Sequence, residues 1–296
     1  MIIFYRLVIN FILILSPIII IIRLIKKKES LKRFKEKFCF FSKKRTKGNL
    51  VWFHGASVGE IQSILPLIEK LEKNKKIKHI LITSNTLSSS KILPKKRLKK
   101  IIHQFFPIDT NFHSKKFLNY WKPSSAFFID SEIWPNMFFN IKKKKIPLIL
   151  LNGRITRKSF LRWKFFQNFA KKIFGKFDLC LSSSKESKIF LKKLGALNIK
   201  FLGNLKFAQS EEDKNIFDNS LRKKFLSKKI WCASSTHNSE EQFCGLVHKE
   251  LKKKYKNLLT IIIPRHIERV DKIINELDKL NLKIYTHESN EKFDRN

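Results

Sequence analysis

The sequence is poor in cysteine. Its 296 residues include four cysteines, none of them in a C-x-x-C pair: Cys39, Cys180, Cys232 and Cys244. Thiols so widely separated are typical of reduced cysteines in a cytosolic compartment, and their spacing argues against both a disulfide framework and a cysteine-ligated metal site. We therefore expect neither disulfides nor a bound metal in a chain that is long enough for a substantial hydrophobic core.

Acidic side chains are scarce relative to basic ones. Asp and Glu number 24 against 63 Lys and Arg, which gives a formal net charge of +39. Such a charge suits a nucleic acid, an anionic membrane surface or a phosphorylated substrate as partner. The sequence lacks an RGG-like tail, zinc-finger spacing and a basic helix with interleaved aromatics, so we expect no nucleic acid. An AT-rich genome would encode the same mixture of Lys, Phe, Ile and Asn, so base composition is an alternative origin of the charge.

The first segment is a long apolar run. Residues 2–25 are almost wholly apolar and residues 7–22 carry no charge, which approaches the ~20 residues needed to cross a bilayer core. The lysines that follow predict that this flank, and everything after it, is cytoplasmic. We predict a membrane anchor at residues 1–28 and a basic connector at residues 29–49. A cleaved signal peptide is the alternative, although no small-residue cleavage site follows the run. Full crossing and insertion into one leaflet, with a bend at Pro17, are both open.

Residues 50–71 predict a strand, a tight turn and a helix. Residues 50–53 are bulky and apolar, as in a buried parallel strand, and two glycines lie in the turn at residues 54–59. Apolar residues then recur at helical spacing from Ile61 to Leu71. Glu60 stands at the junction of turn and helix, where an anion-binding turn would not place a carboxylate. Glu60 therefore has two interpretations. It is either a negative charge that the helix dipole favours in the first turn, or a group for proton chemistry.

The same alternation continues along the chain. Further strands are predicted at residues 79–84, 101–107, 126–129, 146–151 and 179–182, and helices at residues 159–174 and 185–194, the last ended by Gly195. This order indicates an α/β protein with a doubly wound parallel sheet. A second α/β unit follows, with strands at residues 230–233, 258–263 and 282–285 and helices at residues 243–251 and 270–280. Asn238 or Ser239 is expected to cap the first of these helices.

Polar residues follow the carboxyl ends of the predicted strands. They are Glu60, Ser84, Glu132, Asn152 and Arg154. In open α/β sheets this edge is where ligands bind. The clustering therefore favours a functional role for both glutamates over a purely structural one.

Seven motifs occur in order between residues 50 and 269. They are HGASVGE (54–60), SEIWP (131–135), NGRIT (152–156), LGA (194–196), GNLKF (203–207), ASSTHNSEE (233–241) and PRHIER (264–269). With the N-terminal apolar segment, this series resembles the Kdo transferases, which move 3-deoxy-D-manno-octulosonic acid (Kdo) from CMP-Kdo onto the lipid A precursor. The resemblance covers most of the chain and does not depend on any single motif.

The resemblance implies a GT-B-like fold of two Rossmann-like domains behind the anchor. It places an acceptor-binding domain at residues 50–207, a linker at 208–228 and a donor-binding domain for CMP at 229–296. It also implies an inverting transferase of lipopolysaccharide core biosynthesis that needs no metal or cofactor, with CMP-Kdo and lipid IVA as substrates. Its expected location is the cytoplasmic face of the inner membrane of a Gram-negative bacterium, in contact with anionic lipids.

The resemblance also assigns roles to individual residues. Glu60 matches the general base that takes the proton of the acceptor hydroxyl, and Glu132 matches a second essential acid. The remaining substrate-binding candidates, carried by the other motifs, are Ser57, Gly59, Asn152, Arg154, Lys206, Ser235, Thr236, Arg265 and His266. The last five are expected to line the donor side, where a guanidinium can grip phosphate in bidentate fashion.

For some residues of these motifs, a purely structural role is the alternative to a role in the site. His54 and His266 could be satisfied polar groups at strand ends, and Trp134 is expected to hold the Glu132 loop by packing. The family continues past the position of Arg295 with DTxGEL-like and GGHNxxEP-like motifs that this sequence lacks, so the donor domain is expected to be incomplete. The alternative function is therefore a truncated, non-catalytic remnant that binds lipid A or the membrane surface.

Overall fold

The computed structural model describes residues 1–91, 98–209 and 225–286. The chain forms two compact units, Met1–Glu211 (unit 1) and Glu212–Asn296 (unit 2). Unit 1 contains the apolar first helix and a large parallel sheet. Unit 2 contains a two-stranded parallel sheet and its helices.

Unit 1 is built on seven parallel strands. They are β1 (Leu50–His54), β2 (His79–Ser84), β3 (Ile101–Phe105), β4 (Ser125–Ile129), β5 (Leu148–Gly153), β6 (Leu179–Ser182) and β7 (Ile199–Phe201). Their order across the sheet is β3-β2-β1-β4-β5-β6-β7, and every neighbouring pair is parallel. The chain thus winds outward from β1 in one direction and then from β4 in the other. This order confirms the predicted doubly wound sheet.

Eight α-helices belong to the described part of unit 1. They are α1 (Ile2–Ile25), α2 (Val58–Glu72), α3 (Leu87–Ser90), α4 (Asn111–Trp121), α5 (Pro135–Lys143), α6 (Arg157–Phe165), α7 (Gln167–Phe174) and α8 (Lys185–Lys193). Short 3-10 helices occur at Phe34–Phe38 and Leu205–Gln209. The first of these packs on the sheet edge, because the Glu36 carboxylate accepts a hydrogen bond from the backbone N–H of Phe105 on β3 at 2.9 Å.

The sheet separates two hydrophobic clusters. Trp52 and Phe128 belong to one cluster, and Phe53 belongs to the other together with Ile61 and Ile64 of α2. Successive residues of a strand point to opposite faces, so the adjacent aromatic residues of β1 each fill one side. Because both faces are covered, all five residues of β1 are buried. This explains why its sequence is an uninterrupted apolar run up to the histidine.

Unit 2 contains β8 (Lys229–Thr236) and β9 (Leu258–Pro264), paired in parallel, with helices α9 (Glu240–Lys254) and α10 (Val270–Asp278). A 3-10 helix at Ile267–Arg269 precedes α10. Glu241 is fully buried, and both of its carboxylate oxygens accept hydrogen bonds from the Arg269 guanidinium, at 2.9 and 3.1 Å. This ion pair joins the start of α9 to the start of α10.

Three sequence predictions were wrong in detail, and one strand was missed. The helix predicted at residues 159–174 is two helices, because Phe166 leaves helical geometry with φ −111° and ψ 46°. Residues 282–285 form no strand; Leu282 instead lies against the Gly245 position of α9. Ser239 stands at the N-cap of α9 without a capping side-chain bond, and the Glu240 carboxylate accepts the His237 N–H instead. The short strand β7 was not predicted.

Gly195 ends α8 as the sequence predicts. Its φ is +103°, a conformation that L side chains rarely adopt. The N–H of Gly195 donates to the carbonyl of Lys192, and the N–H of Ala196 donates to that of Leu191, both at 3.1 Å. These are the two bonds of a Schellman motif, which satisfies the last carbonyls of the helix. A Cβ at Gly195 would lie 2.7 Å from Cα of Lys171.

We expect Gly195→Ala to lower the free energy of unfolding by about 3 kcal/mol or more, since it adds a backbone clash to an unfavourable φ. The control is Gly203→Ala. Gly203 has φ +87°, and no heavy atom of the described residues lies within 4 Å of a Cβ built there. That variant should lose only the conformational part, about 1–2 kcal/mol. Urea unfolding in detergent measures both, and equal losses would show that the contact with α7 contributes nothing.

Candidate active site

Two carboxylates lie where the order of strands reverses. Glu60 is in the first turn of α2, directly after β1, and Glu132 follows β4. Strands β1 and β4 are neighbours, and the chain winds away from them in opposite directions. In doubly wound sheets the crevice at such a reversal is the usual ligand site. The sheet therefore brings together the two residues that the sequence analysis predicted to be catalytic.

The turn after β1 fixes the Glu60 side chain. Ser57 is the N-cap of α2, and the carboxylate of Glu60 accepts hydrogen bonds from the Ala56 N–H at 2.7 Å and the Ser57 hydroxyl at 2.8 Å. This is the reciprocal arrangement of a capping box, shifted by one residue. Glu60 therefore takes part in capping α2, and the same hydrogen bonds hold its carboxylate at the crevice.

The surroundings of Glu60 make it a stronger base than an ordinary glutamate. Burial raises the pKa of Glu60, and the negative charges of Glu132 and Asp130 raise it further. The hydrogen bonds from Ser57 and Ala56 oppose this shift, because they stabilise the charged form. A raised pKa brings a carboxylate closer to the range in which it can accept a proton from a reacting hydroxyl.

The Glu132 carboxylate lies against the rings of Trp134 and His54. Its Oε2 atom accepts a hydrogen bond from Nε1 of Trp134 at 3.0 Å and lies 3.3 Å from Nε2 of His54. The prediction that Trp134 holds the Glu132 loop is confirmed, with a hydrogen bond added to its packing against the core. The carboxylate has its orientation fixed through one oxygen, and its side chain is 19% exposed.

His54 is completely buried beneath Glu132. Burial lowers the pKa of His54, so the ring is neutral and carries one N–H. Its Nδ1 lies 2.9 Å from the Thr83 hydroxyl oxygen, which also accepts a hydrogen bond from Nε1 of Trp52 at 2.9 Å. The Thr83 hydroxyl also donates to the Phe53 carbonyl at 3.3 Å, so the tautomer of His54 decides whether its ring N–H faces Thr83 or Glu132. In the tautomer with the proton on Nε2, the ring donates to the Glu132 carboxylate.

Asp130 and Asn152 join the ends of β4 and β5. The Asn152 amide donates to Oδ1 of Asp130, while its carbonyl oxygen accepts the Leu205 N–H at 3.1 Å. Asp130 and Asn152 have φ values of +57° and +53°, a region in which Asp and Asn are enriched. Burial raises the pKa of Asp130. The hydrogen bond from the Asn152 amide and the charges of nearby cations oppose this shift, because they stabilise the ionised carboxylate.

Two cations lie beside these carboxylates. Lys206 and Arg154 both lower the pKa of Asp130 through their charge. The Lys206 ammonium is 3.9 Å from the position that a Cβ on Gly59 would occupy, and both cationic side chains are exposed. Lys206, which was expected with the donor-side residues, therefore belongs to the cluster in unit 1. The predicted residues that unit 1 brings together are Ser57, Gly59, Glu60, Glu132, Asn152, Arg154 and Lys206.

The other four predicted site residues lie in unit 2, at the carboxyl ends of β8 and β9. Ser235 has φ +60°, Thr236 is buried, and the Arg265 N–H donates to the Thr236 carbonyl at 3.0 Å. His266 is exposed and its Nδ1 lies 3.5 Å from a carboxylate oxygen of Glu268. The exposed side chains of Ser235, Arg265 and His266 share this edge of the smaller sheet.

Sequence reasoning missed Asp130 and Thr83 as site residues. Asp130 could have been found, since it lies between the end of β4 and the SEIWP motif. Thr83 could not, because its contact depends on the register that pairs it with His54 across β1 and β2. Among the described residues, no group of three or more His, Cys, Asp and Glu side chains is placed to hold a metal ion.

Comparisons with known proteins identify the family. Residues 32–209 match the family described as 3-deoxy-D-manno-octulosonic-acid transferase (kdotransferase). The chain is 36% identical over 259 residues to the 3-deoxy-D-manno-octulosonic acid transferase of Rickettsia bellii, with 87% of this chain and 62% of that protein covered. The corresponding protein of Haemophilus influenzae is 29% identical over 252 residues, covering 81% and 57%. The chain thus spans about three-fifths of the length of these relatives.

A solved structure supports the fold class alone. The UDP-GlcNAc 2-epimerase of Neisseria meningitidis, determined with UDP-GlcNAc, superposes with a TM-score of 0.55 at 14% identity, covering 79% of this chain and 70% of that one. This likeness confirms the predicted GT-B-like α/β fold class. Because the matched residues 32–209 make up more than half of the chain, the protein belongs to the Kdo transferase family.

Proposed function

We propose that the protein is an inverting, metal-independent glycosyltransferase that moves Kdo from CMP-Kdo to lipid IVA in lipopolysaccharide biosynthesis. The observation that carries this proposal is the pair of carboxylates at the β1–β4 reversal, one with a raised pKa and one held by the Trp134 N–H beside the His54 ring. Family membership supplies the reaction class. The proposed location is the cytoplasmic face of a Gram-negative inner membrane.

Glu60 acts as the general base in this proposal. The acceptor hydroxyl oxygen forms a bond to C2 of Kdo, its proton passes to the Glu60 carboxylate, and the bond from C2 to the phosphate of CMP breaks. The electron pair of that bond leaves with CMP, so the step balances without a metal or a further reactant. A single displacement of this kind inverts the anomeric carbon. The capping bonds from Ala56 and Ser57 support this role because they keep the base in place.

Glu132 has two functions in this scheme. Its negative charge raises the pKa of Glu60 and so improves the base. The same charge can also stabilise the oxocarbenium-like charge that develops on Kdo, or orient the acceptor sugar. The contacts from His54 and Trp134 suit either function, since a carboxylate fixed before the reaction does not need to reorganise during it.

The cations serve the anionic parts of the substrates. Arg154 and Lys206 lie at the acceptor side, beside Asp130, and suit the phosphates of lipid IVA or the carboxylate of Kdo. In unit 2, Arg265 and His266 suit the phosphate of CMP, with the hydroxyl of Ser235 on the same sheet edge. Thr236 positions this edge through the backbone bond that it accepts from Arg265.

A second candidate function is lipid A binding without transfer. It is favoured by one observation, that the carboxylates and cations suited to the acceptor all lie in unit 1. Two assays separate the candidates: release of CMP from CMP-Kdo in the presence of lipid IVA, and equilibrium binding of lipid IVA alone. Binding without CMP release would favour the second candidate.

We expect Glu60→Gln to lower the transfer rate about 10²- to 10⁴-fold, because the amide keeps the capping geometry but cannot accept the proton. Glu132→Gln should lower it about 10²-fold through the loss of its charge. CMP release with lipid IVA as acceptor measures both. Glu69→Gln, on α2 but nine residues from Glu60, is the matched control and should retain the wild-type rate. Full activity of Glu60→Gln would refute the proposed base.

The pH profile should respond in opposite directions to two further changes. The base must be ionised, so the rate falls as pH drops through the raised pKa of Glu60. Glu132→Gln removes a charge that raises this pKa and should move the acidic limb of its residual activity to lower pH. Ser57→Ala removes a hydrogen bond that lowers the pKa and should move the limb to higher pH. Shifts in the same direction would mean that another group controls the limb.

A further inference from the structure

Helix α1 exposes apolar side chains along its whole length and around most of its circumference, and seven of them form an outward stripe. The side chains of this outward stripe are between 56% and 75% exposed: Phe4, Leu7, Phe11, Ile14, Ile18, Ile21 and Ile25. They recur every three or four residues and so lie on one face of the helix. The helix has 24 residues and is long and apolar enough to cross a membrane by length and composition.

The opposite face of α1 is covered over the same length. Its members are less exposed than the outward stripe: Tyr5, Ile9, Leu13, Ser16, Ile20 and Arg23. Ser16 and Ile20 are buried outright. A helix that crosses a bilayer leaves its own domain after the first or last turn, so it would be covered at one end only. The lower exposure from Tyr5 to Arg23 is what a helix lying along protein surface would show, and Ile2 and Tyr5 pack against the hydrophobic core.

Polar bonds fix the N-terminal end of α1 to unit 1. The Tyr5 hydroxyl donates to Oδ2 of Asp109 at 2.8 Å, and Nε of Arg6 donates to Oδ1 of Asn136 at 3.0 Å. Asp109 is 1% exposed and also accepts the backbone N–H groups of Asn136 and Met137 at 3.0 and 2.8 Å. The first turn of α1 is therefore bonded to the first turn of α5.

Polar bonds also hold the C-terminal end. Nε of Arg23 donates to Oε2 of Glu29 at 3.2 Å, and the same oxygen binds the Lys37 ammonium. The backbone carbonyl of Lys37 accepts the N–H of Ile108 at 3.0 Å. Ile108 precedes Asp109, which binds Tyr5, so the bonds from both ends of α1 lead to the same segment of unit 1.

The helix backbone is satisfied without water at its middle. Pro17 lacks an N–H, so the carbonyl of Leu13 loses its usual helical partner. The Ser16 hydroxyl donates to that carbonyl at 2.6 Å. An apolar helix with no unpaired carbonyl at this point can enter the acyl-chain region without a desolvation penalty there.

We propose that α1 is an in-plane membrane anchor, whose outward stripe inserts into one leaflet of an anionic phospholipid bilayer while its inner face stays on unit 1. Tyr5 and Arg23 are eighteen residues apart, which is about 27 Å along a helix and close to the ~30 Å hydrocarbon thickness. A crossing helix would put these two residues on opposite sides of the membrane. Tyr5 is bonded to Asp109, and Arg23 is bonded through Glu29 and Lys37 to Ile108, so both ends of α1 lead to one short segment of the chain.

Charge around the stripe matches an anionic lipid surface. Lys26, Lys27 and Lys28 directly follow α1 and are exposed. The rings of Tyr5 and Phe169 lie 6.4 Å apart, which places α7 beside the start of α1. Helices α6 and α7 carry exposed basic residues: Arg157, Lys158, Arg162, Lys164, Lys171 and Lys172. Apolar insertion flanked by lysine and arginine is how in-plane helices bind acidic bilayers, whereas a second copy with the same positive charge would be repelled.

Depth measurements test this orientation on the full chain. In a Cys232→Ser background the other three native cysteines are buried, so a bimane probe reports a single engineered thiol. The outward positions are Phe4→Cys, Ile14→Cys and Ile25→Cys, and Leu13→Cys on the inner face is the matched control. Vesicles of phosphatidylglycerol and phosphatidylethanolamine carry lipids with quenchers at graded depths.

The in-plane anchor predicts the same shallow depth for all three outward probes, about 5–10 Å below the headgroups, and little quenching at Leu13→Cys. A probe at Ile14→Cys near the bilayer centre, with Phe4→Cys and Ile25→Cys at opposite interfaces, would overturn the proposal. Absence of binding to the anionic vesicles would overturn it too. These readouts do not involve transfer activity, so their outcome is independent of the proposed function.

The hydrogen bonds that Tyr5 and Arg6 donate can be tested with a double variant. Tyr5→Phe combined with Arg6→Gln removes the donor to Asp109 and alters the bond to Asn136, so the helix can rotate on unit 1 and quenching at Leu13→Cys should rise at least twofold. Tyr120→Phe is the control, because its hydroxyl donates to the Lys43 carbonyl at 2.7 Å, away from α1. An unchanged Leu13→Cys signal in the double variant would show that these bonds do not orient the helix.

Discussion

The parallel pairing of β1 with β4 is the constraint on which the candidate site depends. Val51 pairs with Ser125 and His54 with Phe128, so both strands end at the same level of the sheet. The next residues of each chain segment then carry Glu60 and Glu132 to one crevice, close enough for their charges to interact. A slip of one residue would turn the side chains of β1 to the opposite face and bury Phe53 where Trp52 now packs.

The negative charges of Glu60 and Glu132 repel each other at the crevice. Hydrogen-bond donors to each carboxylate offset this repulsion. Ala56 and Ser57 bind the Glu60 carboxylate, while Trp134 and His54 bind that of Glu132. None of these donors carries a full positive charge, because burial keeps the His54 ring neutral. The Glu60 carboxylate is therefore held in place by neutral donors while burial still raises its pKa. This is the combination that a general base requires.

Sequence reasoning predicted those parts that local patterns determine. The strands at His79–Ser84 and Leu179–Ser182 match their predicted bounds, because each is an apolar run flanked by polar residues. Strand β7 was missed because it has only three residues and they are mostly exposed. The contact of Thr83 with His54 depends on strand register, and that of Asp130 with Asn152 on two left-handed backbone conformations. Register leaves no signal in one sequence, and the left-handed conformations leave only the enrichment of Asp and Asn at such positions.

The in-plane anchor and the candidate site meet at the start of α5. Asp109 binds the first two N–H groups of that helix and the hydroxyl of Tyr5, and α5 begins directly after Trp134, which holds Glu132. Burial raises the pKa of Asp109 to about 7, and the three donors partly offset that shift by stabilising its charge. Because Tyr5 of α1 and the Glu132 loop both connect to the start of α5, a helix fixed in one leaflet would set the distance of that loop from the membrane surface. A lipid acceptor whose acyl chains stay in that leaflet would then reach the two carboxylates at a constant height, which a flexible tether could not provide.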